Sequence, residues 1–411
     1  MTMALLAAMA SLAEEPETES LTGGKVPALR TPAAEIEAQE TPIDALVGLD
    51  ADEIASLPWD PEVYLGAQVL DLPVDLVGRV HQGVHRLYER NYEGARSAFR
   101  EVDAQWPGLA MGAVGEALVW QAKMLENFDL RYEAQWAEAS KRARTGLEAG
   151  LKVPGRDAFE HLLLTGVVGI ESIHSMRKGN YLPALQLAFQ AMDHVHEATE
   201  LAPKFPDLKL ADGMYNYWRS VVTLTSDLLP DFTDRRAEGL GQMQSVERDG
   251  VFLGPMATLA LTFSYAEAGE TKEALGAALR NKERYPHNVI NNLVTGSLYG
   301  SSSRHEAALA VYAQVLETDP SNRRVHYWRG VALQNLGRLD EALVAYRTYG
   351  AFDGLEKWQA AAVAYRTGQI HQKQGRLVDA EASFKAAVQL DGHAGAKRAL
   401  AKLKERQAPA P

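Results

Sequence analysis

His81 and His85 stand four residues apart, a spacing that turns two imidazoles to one side of a helix and could direct both at one metal ion. No third ligand accompanies them in the sequence, so they read as ordinary polar helix positions and no metal is expected. His194 and His196 are two apart on a helix and diverge. The other histidines read as isolated. Glu197 and Glu200 read as a solvated face rather than a general acid/base pair. Gly23-Gly24-Lys25 lacks the earlier Gly and the following Ser/Thr of a phosphate-binding loop, and Val26-Pro27 opens a helix poorly. No G-x-S-x-G elbow, H-E-x-x-H helix or EF-hand loop occurs. The absence of Cys removes disulfides, thiolate metal sites and Cys nucleophiles. These residues assign no catalytic group and no cofactor.

The elements that would carry any site are helical. Aromatics are 8% of the chain, and much of the 46% hydrophobic content is Ala, which suits closely packed helices better than a β-sandwich. No apolar run reaches the ~18 residues of a membrane span. The net charge of −12 is uneven. Residues 1–75 hold fifteen Asp/Glu against Lys25 and Arg30, a balance of −13, and the remainder is near neutral at +1. No basic face suited to nucleic acid emerges.

Residues 1–13 are apolar and end Ser11-Leu12-Ala13, with the small residues that a signal peptidase site needs. The stretch is short and lacks a basic start, which a start codon assigned too late would explain; an Ala-rich disordered terminus is the alternative. Residues 14–45, rich in Glu, Pro, Thr and Ala, are expected to be disordered. Residues 46–75 mix large apolar residues with Pro and are expected to pack on the following helices as irregular, short helical turns.

Beyond residue 75 a 34-residue period emerges. Ala274, Ala308 and Ala342 keep that step and Ala380 follows 38 residues on; Gly296 and Gly330 keep it too, again followed at 38 by Gly368. Tyr312, Tyr346 and Phe384 stand four residues after their alanines, on the same helix face. Pro286 and Pro320 close two of the units. Upstream, Gly83, Tyr92, Ala95, Phe99 and Pro107 fall at the same spacing, and units of longer or degenerate form cover 109–150, 157–203 and 208–249. Residues 394–406 read as a closing helix with a polar outer face, which a repeat array needs.

This pattern resembles the tetratricopeptide repeat (TPR), a helix–turn–helix of 34 residues. The upstream half, around Asp212–Trp218 and Pro286-His-Asn288, also resembles faintly the TPR family typified by the fungal mitochondrial inclusion-body clearance protein. The resemblance implies an all-α fold, a right-handed superhelical solenoid of TPR hairpins. Its degenerate repeats would cover 76–250, its regular repeats 251–393 and its cap 394–406.

TPR proteins resemble one another in lining a concave groove with positions 2, 5, 9 and 12 of each repeat. Carried onto this chain, that implies a partner-binding groove containing Phe263, Leu293, Ser297, Arg324, Tyr327, Gln334, Tyr365, Gln369 and Gln372. Tyr327 and Tyr365 suit binding hot spots, or else pack on neighbouring helices. Lys and Asn at positions 5 and 9, the clamp for acidic chaperone tails, are missing, so chaperone-tail binding is not expected. The groove suits an extended or helical peptide. The acidic N-terminal segment could cover the groove, or basic patches at Lys141-Arg142 and Arg323-Arg324. The expected function is a non-enzymatic protein–protein interaction scaffold of the bacterial cell envelope, located in the periplasm. A cytoplasmic adaptor is the alternative. An enzyme subunit is a third reading, and it requires a cluster of charged or His side chains within 109–250.

Overall fold

The computed structural model describes residues 57–225 and 233–407. The expected signal segment, the acidic segment 14–45 and residues 46–56 lie outside the described residues. Among the described residues there are eighteen helices and no strand, so the fold is all-α and built of successive helix hairpins.

A leading helix, α1 (Pro61–Leu70), precedes eight hairpins. These are α2 (Val74–Tyr88) with α3 (Tyr92–Gln105), α4 (Met111–Asn127) with α5 (Glu133–Gly150), α6 (Asp157–Arg177) with α7 (Tyr181–Leu201), and α8 (Leu208–Thr225) with α9 (Arg236–Asp249). They continue with α10 (Gly254–Glu267) and α11 (Thr271–Arg284), α12 (Val289–Ser301) and α13 (His305–Thr318), α14 (Arg323–Asn335) and α15 (Leu339–Gly350), and α16 (Lys357–Lys373) and α17 (Leu377–Asp391). α18 (Ala394–Gln407) closes the array.

Residues 57–75 depart from the expected short turns. Pro61 stands in the first turn of a ten-residue helix, where its missing N–H costs nothing, and Asp71 ends that helix in the left-handed conformation. Trp59 lies across Gly78, where a Cβ would come within 2.3 Å of the indole.

Within a hairpin the chain closes through one recurring lock. A Cβ on Gly83, Gly296, Gly330 or Gly368 would lie 2.3–2.7 Å from the ring of Phe99, Tyr312, Tyr346 or Phe384, sixteen residues further on in each case. The alanines four residues before those aromatics, Ala95, Ala308, Ala342 and Ala380, are fully buried. Side-chain volume is thus absent from the first helix where the second inserts its ring, which gives close packing without a void. The turns that join the two helices use Gly269, Gly337 and Gly375 at φ near +75°, where a Cβ is disfavoured.

The chain divides into two compact units, Met1–Leu125 with Asp129–Val294, and Glu126–Phe128 with Thr295–Pro411. The first unit has a core that includes Val63, Val77, Phe99, Leu147, Phe159, Phe205 and Phe252. It is stapled across long sequence distances. The Asn288 amide donates to the Tyr88 carbonyl at 2.9 Å, and the Tyr285 hydroxyl meets His85 Nδ1 at 2.7 Å. Val251 fills the space over Gly66. A simple repeat array has contacts only between neighbours; in this unit the first hairpin also meets the end of the fifth.

In the second unit Asn322 caps α14, its Oδ1 accepting from Val325 N, and Glu356 with Gln359 forms a capping box on α16. Tyr365, Phe384, Ala396 and Leu403 share a core cluster that ties α18 to the last hairpin.

Candidate functional site

Burial limits what the inner first-helix positions can bind. Phe263 and Leu293 are each 3% exposed, Gln334 and Tyr365 5%, and Tyr327 7%. Ser297, Arg324, Gln369 and Gln372 are half-buried. Tyr327 packs on Tyr346 and Tyr349 with ring centroids 5.8 and 5.5 Å apart. Tyr365 stacks on His393 at 4.4 Å and leans on Phe384. The expectation that these two tyrosines present a contact surface therefore gives way to packing on neighbouring helices. Gln334 joins the interior through its polar ends. Its Nε2 donates to Gln369 Oε1 at 3.1 Å, and its Oε1 accepts from the Tyr346 hydroxyl at 2.9 Å. The structure brings Gln334 and Gln369 together as a ladder between two hairpins.

Arg323-Arg324 is not an open basic patch either. Arg323 is 1% exposed, its guanidinium directed at the carbonyls of Asn127, Asp353 and Gly354, and Arg324 lies over the Phe128 ring. Arg142 pairs with Glu116.

The second unit does present a groove, on the other side of its helices. It holds about 580 Å³ and is lined by Leu309, Ala310, Ala313 and Leu316 of α13, Leu333 and Arg329 of α14, and Glu306, Glu317 and Arg338. The floor is apolar and the rim carries both signs of charge. Arg338 stands 3.8 Å from Glu306 and 2.6 Å from Glu341. The signal was present in the sequence: Leu309, Ala310, Ala313 and Leu316 form an apolar stripe at helical spacing, beside the buried stripe of Ala308, Val311, Tyr312 and Val315. A helix with two apolar stripes has one left over after its own hairpin is packed.

The histidines are less isolated than their sequence positions imply. His161 and His194 join α6 to α7 with their Nδ1 atoms 3.0 Å apart. One must donate and the other accept, so both cannot be protonated; burial and then His161 hold His194 below the usual range. His174 stacks on Trp136 and meets Glu133 at 3.2 Å. These are pins between helices, and they give 109–250 polar clusters of the kind that an enzymatic reading requires.

His81 gains neighbours from outside its own helix. Its Nδ1 stands 3.8 Å from Asp60 and its Nε2 3.7 Å from Glu62, and three possible ligand atoms of this group lie within 4.8 Å of one another. One ring nitrogen and both carboxylates therefore lie close enough to face a single ion. Arg284 already stands 4.0 Å from Glu62, and His81 and Arg284 hold the Glu62 carboxyl below its usual range. His85 lies against His81 with ring centroids 4.1 Å apart, and its Nδ1 is taken by the Tyr285 hydroxyl.

Residues 293–356 match the tetratricopeptide repeat family model. No curated relative matches the sequence. Among solved structures, a human IFIT1 dimer with PPP-AAAA is 14% identical over 86% of this chain and 87% of that one, with a TM-score of 0.47. MamA from MSR-1 is 21% identical over 49% and 98%, with a TM-score of 0.34. The TPR domain of P58(IPK) is 12% identical over 82% and 100%, with a TM-score of 0.24. The matched segment contains the Gly330–Tyr346 lock and all of α13 to α15, and the same lock recurs at three further hairpins. Residues 293–356 are thus a tetratricopeptide-repeat segment within an array of helix hairpins.

Proposed function

We propose that the protein is a non-enzymatic scaffold that binds segments of other proteins along the groove over α13 and α14. The observation that carries this reading is the apolar floor of Leu309, Ala310, Ala313, Leu316 and Leu333 inside a rim of Glu306, Glu317, Arg329 and Arg338. Apolar area supplies affinity, and charges of both signs at the edge set orientation and reject mismatched partners. A partner segment with small apolar side chains on one face and both charge signs at its flanks fits this arrangement. The groove contains no cluster of Lys and Asn for a carboxylate-rich tail.

The apolar stretch ending Ser11-Leu12-Ala13 supports export, and with it a periplasmic site of action. N-terminal sequencing of the protein from its native cell tests location: a chain beginning at Glu14 supports export, and an unprocessed chain supports a cytoplasmic adaptor.

The groove is tested by a photo-crosslinking residue placed at Ala313, with a second at exposed Ala382 as control. The proposal expects a defined adduct at Ala313 that disappears on Leu316→Asp, followed by measurable affinity of the identified segment for the purified protein. Equal adducts at both positions, or adducts indifferent to Leu316→Asp, would remove the groove as the binding site.

A further inference from the structure

The helices α6 and α7 are each 21 residues long, whereas α9, the second helix of the next hairpin, has 14. At 1.5 Å per residue α7 is about 10 Å longer than α9. The first half of α7 carries an apolar face. Tyr181 is 59% exposed, Leu182 68%, Leu185 50% and Phe189 62%. On a helical projection these four fall within about 100° of one another, on a face separate from the buried Ala184, Ala191, Val195 and Ala198. No charged residue occurs from Tyr181 to Met192.

From this we infer that a second copy of the chain docks on the exposed face of α7. Three observations select that occupant. The first is area. At these exposures the four side chains present about 500 Å², near the upper end for a whole monomer, and two copies meeting there remove about 1,000 Å² before neighbouring atoms are counted, the threshold of a specific interface. The second is charge. The chain carries −12, yet this face carries none, so two identical copies meet without repulsion at the contact. The third is the state of the nearest cations. Arg144 pairs with Glu148 and Glu171, Arg177 donates to the Asp129 carbonyl and Lys178 pairs with Glu133, so all three are already engaged beside the face instead of being presented to anionic lipid headgroups.

A two-fold axis beside Leu185 runs α7 antiparallel to its mate. It sets Tyr181 against the mate's Phe189 and leaves Gln186 at the edge, while Gln190 already accepts from Arg144 at 2.9 Å. Such an interface is isologous and closes at two copies.

The test uses the full chain. Sedimentation equilibrium from about 1 to 100 µM is expected to show the dimer mass for the wild type, since an interface of this size commonly gives micromolar or tighter association. Leu185→Glu with Phe189→Glu is expected to weaken dimerisation by at least about 100-fold, because two like-charged side chains per copy are buried at the contact. Both positions are exposed, so helical content and thermal midpoint should stay unchanged. The chain has no native Cys. Leu185→Cys therefore provides a second readout: an intermolecular disulfide should form under mild oxidation, and Val378→Cys, 82% exposed on α17, should not form one. A wild type that stays monomeric at 100 µM overturns the inference, as does a dimer indifferent to the double substitution. Sedimentation with phosphatidylglycerol vesicles, lost in the double variant, would assign the face to a bilayer and likewise overturn it.

Discussion

Asp207 is the side chain whose removal should damage the first unit most for its size. It is 1% exposed. Its Oδ2 accepts from Val251 N at 2.7 Å, and its Oδ1 accepts from Phe252 N at 2.8 Å and Leu253 N at 2.6 Å. These three N–H groups lead into α10, so one carboxylate at the head of α8 positions the start of the helix two further on. Asp207→Ala orphans all three donors. At about 1–1.5 kcal/mol for each unsatisfied buried donor, the loss is about 3–5 kcal/mol. Asp207→Asn can keep Oδ1 in place for Phe252 and Leu253 but turns an NH₂ toward Val251 N–H, a loss of about 2 kcal/mol. With a urea slope of about 3 kcal/mol/M for a unit this large, the Ala variant should lower the midpoint by roughly 1–1.5 M and the Asn variant by about half of that. Urea unfolding followed by tryptophan fluorescence, to which the buried Trp218 contributes, reads both. Equal shifts for the two variants, or an Ala shift below about 0.3 M, would refute the view that the three N–H bonds hold α10 in place.

Other expectations are as direct. Burial, and then the neighbouring His81 and Arg284, push His85 from 6.5 down to about 3. The folded state therefore refuses a proton that the unfolded chain accepts below pH 6.5, so this contribution is present above that pH and is lost on acidification. Between pH 7 and pH 5 the first unit should lose about 1–2 kcal/mol, and His85→Gln should flatten that slope in pH-dependent urea titrations. Gln334→Leu removes the bonds to Tyr346 and Gln369 and should lower the second unit's stability by about 1–3 kcal/mol, measured by thermal unfolding. Ala313→Arg, at an exposed position, should alter stability by less than about 0.5 kcal/mol yet reduce partner affinity at least tenfold by titration calorimetry.

The repeat register was legible because each of its residue types has one physical task. Gly330 must lack a Cβ for Tyr346 to approach, and Ala342 must be small where two helices touch; both demands leave a mark at fixed spacing. The buried alanines and the glycine–aromatic contacts stand in the structure on the same residues that the period picks out. Tyr327 and Tyr365 show where such reading stops. Their positions in the repeat point inward, but whether inward means groove or core depends on how near the next helix lies, and the aromatic neighbours Tyr349 and His393 fill that space. The groove leaves no distinct mark for the complementary reason, because Leu309, Ala313 and Leu316 on a second helix read equally well as hairpin packing. The meeting of Tyr88 with Asn288 and of His85 with Tyr285 leaves no periodic trace, since a period reports neighbours and these partners are 200 residues apart.

The glycine–aromatic lock is the claim on which the hairpins, and hence the groove, depend, and a double-substitution cycle at Gly330 and Tyr346 measures it. A Cβ at Gly330 would lie 2.5 Å from the Tyr346 ring. Gly330→Ala alone should cost about 1–3 kcal/mol through overpacking, despite its better helix propensity. With Tyr346→Ala already in place the same substitution should cost nothing, or stabilise by up to about 1 kcal/mol as the helix gains Ala for Gly. The predicted result is a coupling of about 2–3 kcal/mol between the two sites. An identical cost of Gly330→Ala in both backgrounds would contradict it.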